Sequence, residues 1–146
     1  MTVTSAKARS ITLLIGGDCG PVHGPQDGFP LERYTELIRP TLASADLRFV
    51  NCMRTYSSRG TDHELAPQVK QSPEMARIFT DCGFDAITLA NNHVYDSGFE
   101  AMLDTRELFE RQGIRCTGAG RNLAHAREPA ILEKAGVRVG YIGYCS

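Results

Sequence analysis

The densest grouping of chemically capable side chains in this sequence is Asn91-Asn92-His93, followed by Asp96, Ser97 and Gly98, set directly after the apolar run 86–90. An amide oxygen and an imidazole nitrogen suit borderline divalent metals, and a carboxylate three residues beyond the histidine can orient the ring or hold it charged. A plainer use exists for the same residues: paired asparagines shape turns, and Asp96 or Ser97 can cap a following helix. Capping needs neither a histidine nor two consecutive asparagines, so the segment is read as part of an active site. Asp18, after the apolar run 11–15 and Gly16-Gly17, is a second candidate, with an Asx turn as its plainer use. Asn51 ends another apolar run, 47–50.

These residues need elements to place them. Residues 11–15 are continuously apolar, which suits a strand buried on both faces that delivers Asp18 to a loop. Residues 19–30 are rich in Gly and Pro, and Leu31, Tyr34, Leu37 and Ile38 then recur at helical spacing until Pro40 interrupts them. After the strand 47–50, residues 52–71 show no period and read as a long functional loop. Ser72 can cap a helix opened by Pro73, with the stripe Met75, Ile78, Phe79 and Cys82 and a left-handed stop at Gly83. A strand over 86–90 follows. The helix 98–112 then buries Phe99, Met102, Leu103 and Phe109, and Gly113 ends it before a short strand, 114–117.

Alternating strands and helices of this length require right-handed crossovers in a mostly parallel sheet, with ligands bound at the carboxyl ends of the strands. Asp18, Asn51 and Asn92 all fall there. Beyond Gly118-Ala119-Gly120 the pattern changes to a hairpin, 129–133 and 137–144, across Lys134-Ala135-Gly136, which starts a second sheet. Two strands are too few to stand alone, so the chain reads as the amino-terminal part of a larger domain spanning 11–146, behind a polar tail, 1–10.

Sixteen basic residues oppose 17 acidic ones along the chain, so no field is strong enough to hold a nucleic-acid backbone or an anionic membrane. The expected partner is a small-molecule or polymer substrate. Five cysteines without CxxC spacing argue against a disulfide framework, and no run is long enough to span a membrane, which together indicate a cytoplasmic protein. His23, His63 and His125 lie in polar stretches where solvent exposure is the default.

The combination of Gly17-Asp18, Asn51, Ala90-Asn91-Asn92-His93 with Asp96 and Gly98, and Gly118-Ala119-Gly120 resembles the CapA family, named for poly-γ-glutamate capsule synthesis. The resemblance implies a calcineurin-like metallophosphatase fold, an α/β/β/α sandwich of two facing sheets with two divalent ions (Mn, Zn or Fe) at the strand ends. It makes Asp18 and Asn92 metal ligands and His93 a transition-state stabiliser or general acid, with Asp96 holding its ring. The expected activity of the complete protein is metal-dependent hydrolysis of a phosphoester, ester or amide bond. Asn51 and Asn91 are candidate substrate contacts. So is Arg121, in a glycine-bearing loop whose amides could approach an anion, although a tight turn is the plainer use of that loop.

Two departures matter. The family carries Asn, one residue, then Glu after the second strand, whereas this chain reads Asn51-Cys52-Met53, and a thioether is a poor ligand for hard ions. The family's later His-Trp-Gly and Gly-His-x-His segments have no counterpart in these residues. A non-catalytic binding or scaffolding member of the same fold is therefore the competing reading. A nucleotide-binding fold would need a glycine-rich turn opening a helix after the first strand, which residues 19–30 do not supply.

Overall fold

The computed structural model describes residues 10–21, 30–61 and 70–145; the tail 1–9, His23, His63, the rest of 22–29 and 62–69, and Ser146 lie outside the described residues. In chain order the elements are β1 (Leu13–Cys19), a 3-10 turn (Leu31–Arg33), α1 (Arg39–Ala43), β2 (Leu47–Cys52), β3 (Thr55–Tyr56), β4 (Lys70–Gln71), a 3-10 turn (Pro73–Ala76), α2 (Arg77–Asp81), β5 (Ala86–Thr88), α3 (Phe99–Arg111), β6 (Arg115–Thr117), α4 (Leu123–Ala126), β7 (Ala130–Lys134) and β8 (Val137–Tyr141).

Four strands form the expected parallel sheet in the order β1-β2-β5-β6, and β7 and β8 form a separate antiparallel hairpin. Strand alternation sends Val50, Ile87 and Leu89 to one face, where they meet Phe79 of α2, Met102 and Phe109 of α3, and Met75. Tyr56, Phe79 and Phe109 meet edge to face at the centre of this core, with ring centroids 4.9–5.7 Å apart. Phe49 and Ala86 point to the opposite face, where the hairpin supplies Ala130 and Tyr141. Phe49 and Tyr141 stack there at 4.3 Å. A parallel sheet with helices on one face and a second sheet on the other is the α/β arrangement the residue pattern predicts.

Several local expectations are corrected. β1 is not buried on both faces: it lies at the rim of the sheet, Ile15 is 66% exposed, and Asp18 belongs to the strand rather than to a loop. Pro40 does not end a helix but sits in the first turn of α1, where its missing N–H has no intrahelical partner to lose. Leu37, expected on a buried stripe, is 91% exposed. Ser72 precedes the Pro73–Ala76 turn without capping it, and its hydroxyl is buried without a partner. Phe99 opens α3 exposed rather than buried. The loop 52–71 contains β3 and β4, which pair in parallel, Thr55 with Lys70 and Tyr56 with Gln71. Gly83 and Gly113 take the left-handed conformation that a helix stop requires, with φ of 66° and 83°.

The hairpin turn is built from Ala135 and Gly136, both at positive φ (51° and 76°). A two-residue turn of this kind favours Asn-Gly, because the left-handed region costs an alanine about 1 kcal/mol or more. Ala135→Asn is expected to stabilise the protein by about 0.5–1 kcal/mol, read as a higher urea midpoint at unchanged slope. An unchanged or lowered midpoint would show that this turn carries no such strain.

Candidate active site

The register of the sheet sets the strand ends side by side: Asp18 pairs with Asn51, Asn51 with Thr88, and Thr88 with Thr117. One irregularity makes this possible. Between Ile15 and Asp18 β1 uses three residue steps where β2 uses two from Phe49 to Asn51, so Gly16-Gly17 carry a bulge. An unbroken alternation would turn Asp18 to the helix-covered face; the extra residue turns it onto the face of Asn51.

From there a continuous hydrogen-bonded chain crosses the strand ends. Asn51 Nδ2 donates to Asp18 Oδ1 at 2.7 Å, and Asn51 Oδ1 accepts from Asn91 Nδ2 at 3.2 Å. Asn91 Oδ1 accepts the backbone N–H of His93 at 2.9 Å, and His93 Nδ1 meets Asp96 Oδ2 at 2.7 Å. Asp96 and Ser97 do not cap α3, whose N-cap is Gly98 at φ 88°. The Asp96 carboxylate is thus committed to the imidazole, which fixes the ring and leaves Nε2 as its second functional nitrogen. The histidine and aspartate side chains are about a third and a quarter exposed (30% and 24%), so the pair borders solvent.

The other candidates fall into place around this chain. Asn91 is 8% exposed and also donates to the Cys52 carbonyl at 2.8 Å, so its amide is engaged inside the fold. Asn92 is exposed beside the chain. Arg121 stands away from it, its guanidinium held by Glu107 of α3 at 2.7 Å. Met53 occupies the strand-end position where the family carries a carboxylate: its N–H donates to the Cys19 carbonyl, its sulfur accepts from Asn51 Nδ2 at 3.2 Å, and it lines a narrow cleft with His93 and Asn91. Cys52 does not replace that carboxylate, because its side chain is buried and burial pushes the thiol well above the ordinary range. Burial, with the Cys82 thiol nearby, likewise pushes Cys19 up to about 11.

One residue outside the candidates carries weight here. Arg106 of α3 is 5% exposed and donates to the backbone carbonyls of Ala119 and His125, holding the Gly118–Gly120 loop and α4 against α3. Its position four residues before Glu110 was the available signal, since the two form an ion pair along the helix at 2.8 Å. Gly118 lets this loop close on the site strand: at φ 88°, a Cβ there would lie 2.6 Å from that of Ala90.

For a divalent ion the donor set fits in kind but not in number. Asp18 offers a carboxylate, Asn92 an amide oxygen and His93 a ring nitrogen, but among the described residues no group of three His, Cys, Asp or Glu side chains is placed to close on an ion.

A parallel sheet with an acid, an asparagine chain and an oriented imidazole at its strand ends, backed by a separate hairpin sheet, is that of a partial metallophosphatase-like α/β protein. The chain belongs to the CapA family, matching the bacterial capsule synthesis protein PGA_cap family over residues 12–146. It is 28% identical over 91 residues to the PGA biosynthesis protein CapA of Bacillus subtilis, covering 62% of this chain and 24% of that protein. It is 31% identical over 71 residues to the capsule biosynthesis protein CapA of Bacillus anthracis, covering 49% and 17%. A probable polyglutamine synthesis accessory protein of Mycobacterium tuberculosis is 28% identical over 90 residues, covering 61% and 24%. The chain therefore spans about a quarter or less of these relatives. Among the described residues no helix is long and apolar enough to cross a membrane.

Proposed function

We propose that the intact protein is a metal-dependent hydrolase of a phosphoester, ester or amide bond, serving the synthesis or turnover of a capsule polymer such as poly-γ-glutamate. The observation that carries this reading is the hydrogen-bonded chain from Asp18 through Asn51 and Asn91 to His93 and Asp96, of which only the link from Asn91 to the His93 N–H is an ordinary Asx turn. Asp18 and Asn92 would hold the metal, with further ligands drawn from the rest of the polypeptide, and a bound divalent ion would supply Lewis-acid polarisation and an activated water. Within these residues, Asp96 holds the His93 ring through Nδ1 so that Nε2 can neutralise charge developing on the substrate or give a proton to the leaving group. Asn51 and Asn91 keep Asp18 and the His93 backbone at fixed separation. We also place the protein in the cytoplasm, a reading that rests on the buried thiols of Cys52, Cys82 and Cys116.

One observation favours a second reading, a non-catalytic binding member of the family. Met53 sits at the strand end where the carboxylate is expected and is packed there by Asn51. Metal content separates the two. Intact protein reconstituted with Mn²⁺ or Zn²⁺ and passed over a desalting column is expected to retain about two equivalents, and Asp18→Ala to lose at least one of them. Wild-type protein that retains none would sink the hydrolase reading and leave the binding one.

A further inference from the structure

The turn that carries His93 and Asp96 closes weakly on itself. Val94 donates to the Asn91 carbonyl and Asp96 to that of His93, each at 3.3 Å, just past the usual range for such bonds; a bond of ordinary length comes only with Gly98, to the Tyr95 carbonyl at 2.9 Å. Two anchors from outside hold the turn, one on each side of the pair. Before His93, Asn91 donates to the Cys52 carbonyl at 2.8 Å. After Asp96, the Ser97 carbonyl accepts from the Thr61 N–H at 3.2 Å. Gly60 stands directly against that carbonyl: at φ 83°, a Cβ there would lie 2.1 Å from the Ser97 oxygen and 2.8 Å from the Ala101 side chain. Both anchors belong to one stretch of chain, 52–61, whose last five residues have no part in the site described so far.

Those residues are fastened in turn to α3. The Tyr56 N–H donates to Thr105 Oγ1 at 2.8 Å, Ser57 Oγ to Asp104 at 2.6 Å, and the Arg59 N–H to Ser57 Oγ at 2.9 Å. The Arg59 guanidinium meets both oxygens of Asp104 and reaches Glu100 at 2.9 Å, while Lys70 of β4 donates to the Gly60 carbonyl at 3.1 Å. An exposed ion pair contributes little alone, but a two-pronged arginine within a network holds its partners in one geometry. We propose that Gly60 and Arg59 are positioning residues: Arg59 keeps the loop 57–61 closed on α3, and Gly60 lets that loop press on the Ser97 carbonyl, which holds Asp96 against Nδ1 of His93. A side chain at position 60 must push back either the loop or Ser97, because the oxygen it meets belongs to the backbone. The inference rests on the His93–Asp96 pair having the role proposed above, but not on hydrolysis taking place there.

The test is nitrogen NMR of the imidazole rings in the intact protein, at a pH where they are neutral, with His93→Gln identifying the His93 signals and the melting temperature measured for each variant. A ring held by Asp96 carries its proton on Nδ1, whereas a ring released to water is free to carry it on Nε2. Wild type is expected to show the His93 proton on Nδ1, and Gly60→Ala to lose most of that form. Arg59→Met is expected to lose part of it and Arg59→Lys less, since a lysine keeps the charge without the fork. Gly113→Ala is the control: it has the same φ of 83°, but its Cβ would meet nothing within 4 Å, so it carries the backbone strain alone. It should melt lower and leave the His93 ring as in wild type. Where the protein hydrolyses a substrate, Gly60→Ala should also lower kcat by about 10- to 100-fold with a smaller change in KM. Gly60→Ala that melts lower while its His93 ring matches wild type overturns the proposal and leaves the loop a purely structural element. So does wild type with the His93 proton on Nε2. Should Gly60→Ala fail to fold, Arg59→Met decides: loss of the Nδ1 form supports the proposal and an unchanged ring overturns it. A ring released by Gly60→Ala in a protein without hydrolytic activity would leave this inference standing and remove the hydrolase reading alone.

Discussion

Replacing His93 by alanine in the intact, metal-loaded protein is expected to lower kcat by about 10²- to 10⁴-fold, the range for losing a positioned proton donor or charge stabiliser. The melting temperature should move little, because the ring borders solvent and its hydrogen bond is to Asp96. Asp96→Asn tests the same assembly one step removed. An amide can still meet Nδ1 but no longer carries the charge that fixes the ring and stabilises an imidazolium, so a loss of about 10- to 100-fold is expected. Steady-state kinetics on a hydrolysed ester or amide measure both. If His93→Ala turns over as fast as wild type, the imidazole has no part in the chemistry, and the chain from Asp18 to Asp96 is a structural clasp.

The second large effect belongs to stability. Arg106→Met keeps much of the apolar stem and removes the guanidinium that serves the buried carbonyls of Ala119 and His125. An abandoned buried acceptor costs about 1–3 kcal/mol. With two such carbonyls the variant is therefore expected to lose about 2–5 kcal/mol, a fall of roughly 10 °C in Tm for a domain of this size. Glu110→Gln supplies the contrast. Its carboxylate is 41% exposed, so its share of the pair with Arg106 is weakened by solvent and should be worth less than about 1 kcal/mol. Equal losses in the two variants would mean that the ion pair, and not the carbonyl bonds, anchors the loop 118–120.

Much of this was legible because it is local. The apolar runs that became β2, β5 and β6, the stripe of Met102 and Phe109 on α3, and the left-handed stops at Gly83 and Gly113 depend on periods and conformations that a few neighbouring residues settle among themselves. The placing of the polar residues 91–96 at a strand end was visible for the same reason; Asp96 meets His93 instead of capping α3, while Asn91 makes the local turn that was its plainer use. Pro40 misled because the same residue either ends a helix or opens one, and which occurs depends on the chain before it.

The amino-acid sequence by itself determined the kinds of elements and the segment that carries His93, since periodicity and turn chemistry act over a few residues. Only the tertiary structure decided which strand lies at the rim, that the bulge at Gly16-Gly17 turns Asp18 onto the face of Asn51, that Asn91 faces inward, and that Arg106 is buried against the carbonyls of the loop 118–120 and α4. Each of these depends on pairing between residues tens of positions apart. A one-residue shift in such pairing exchanges the faces of a strand while leaving the local pattern of residues unchanged.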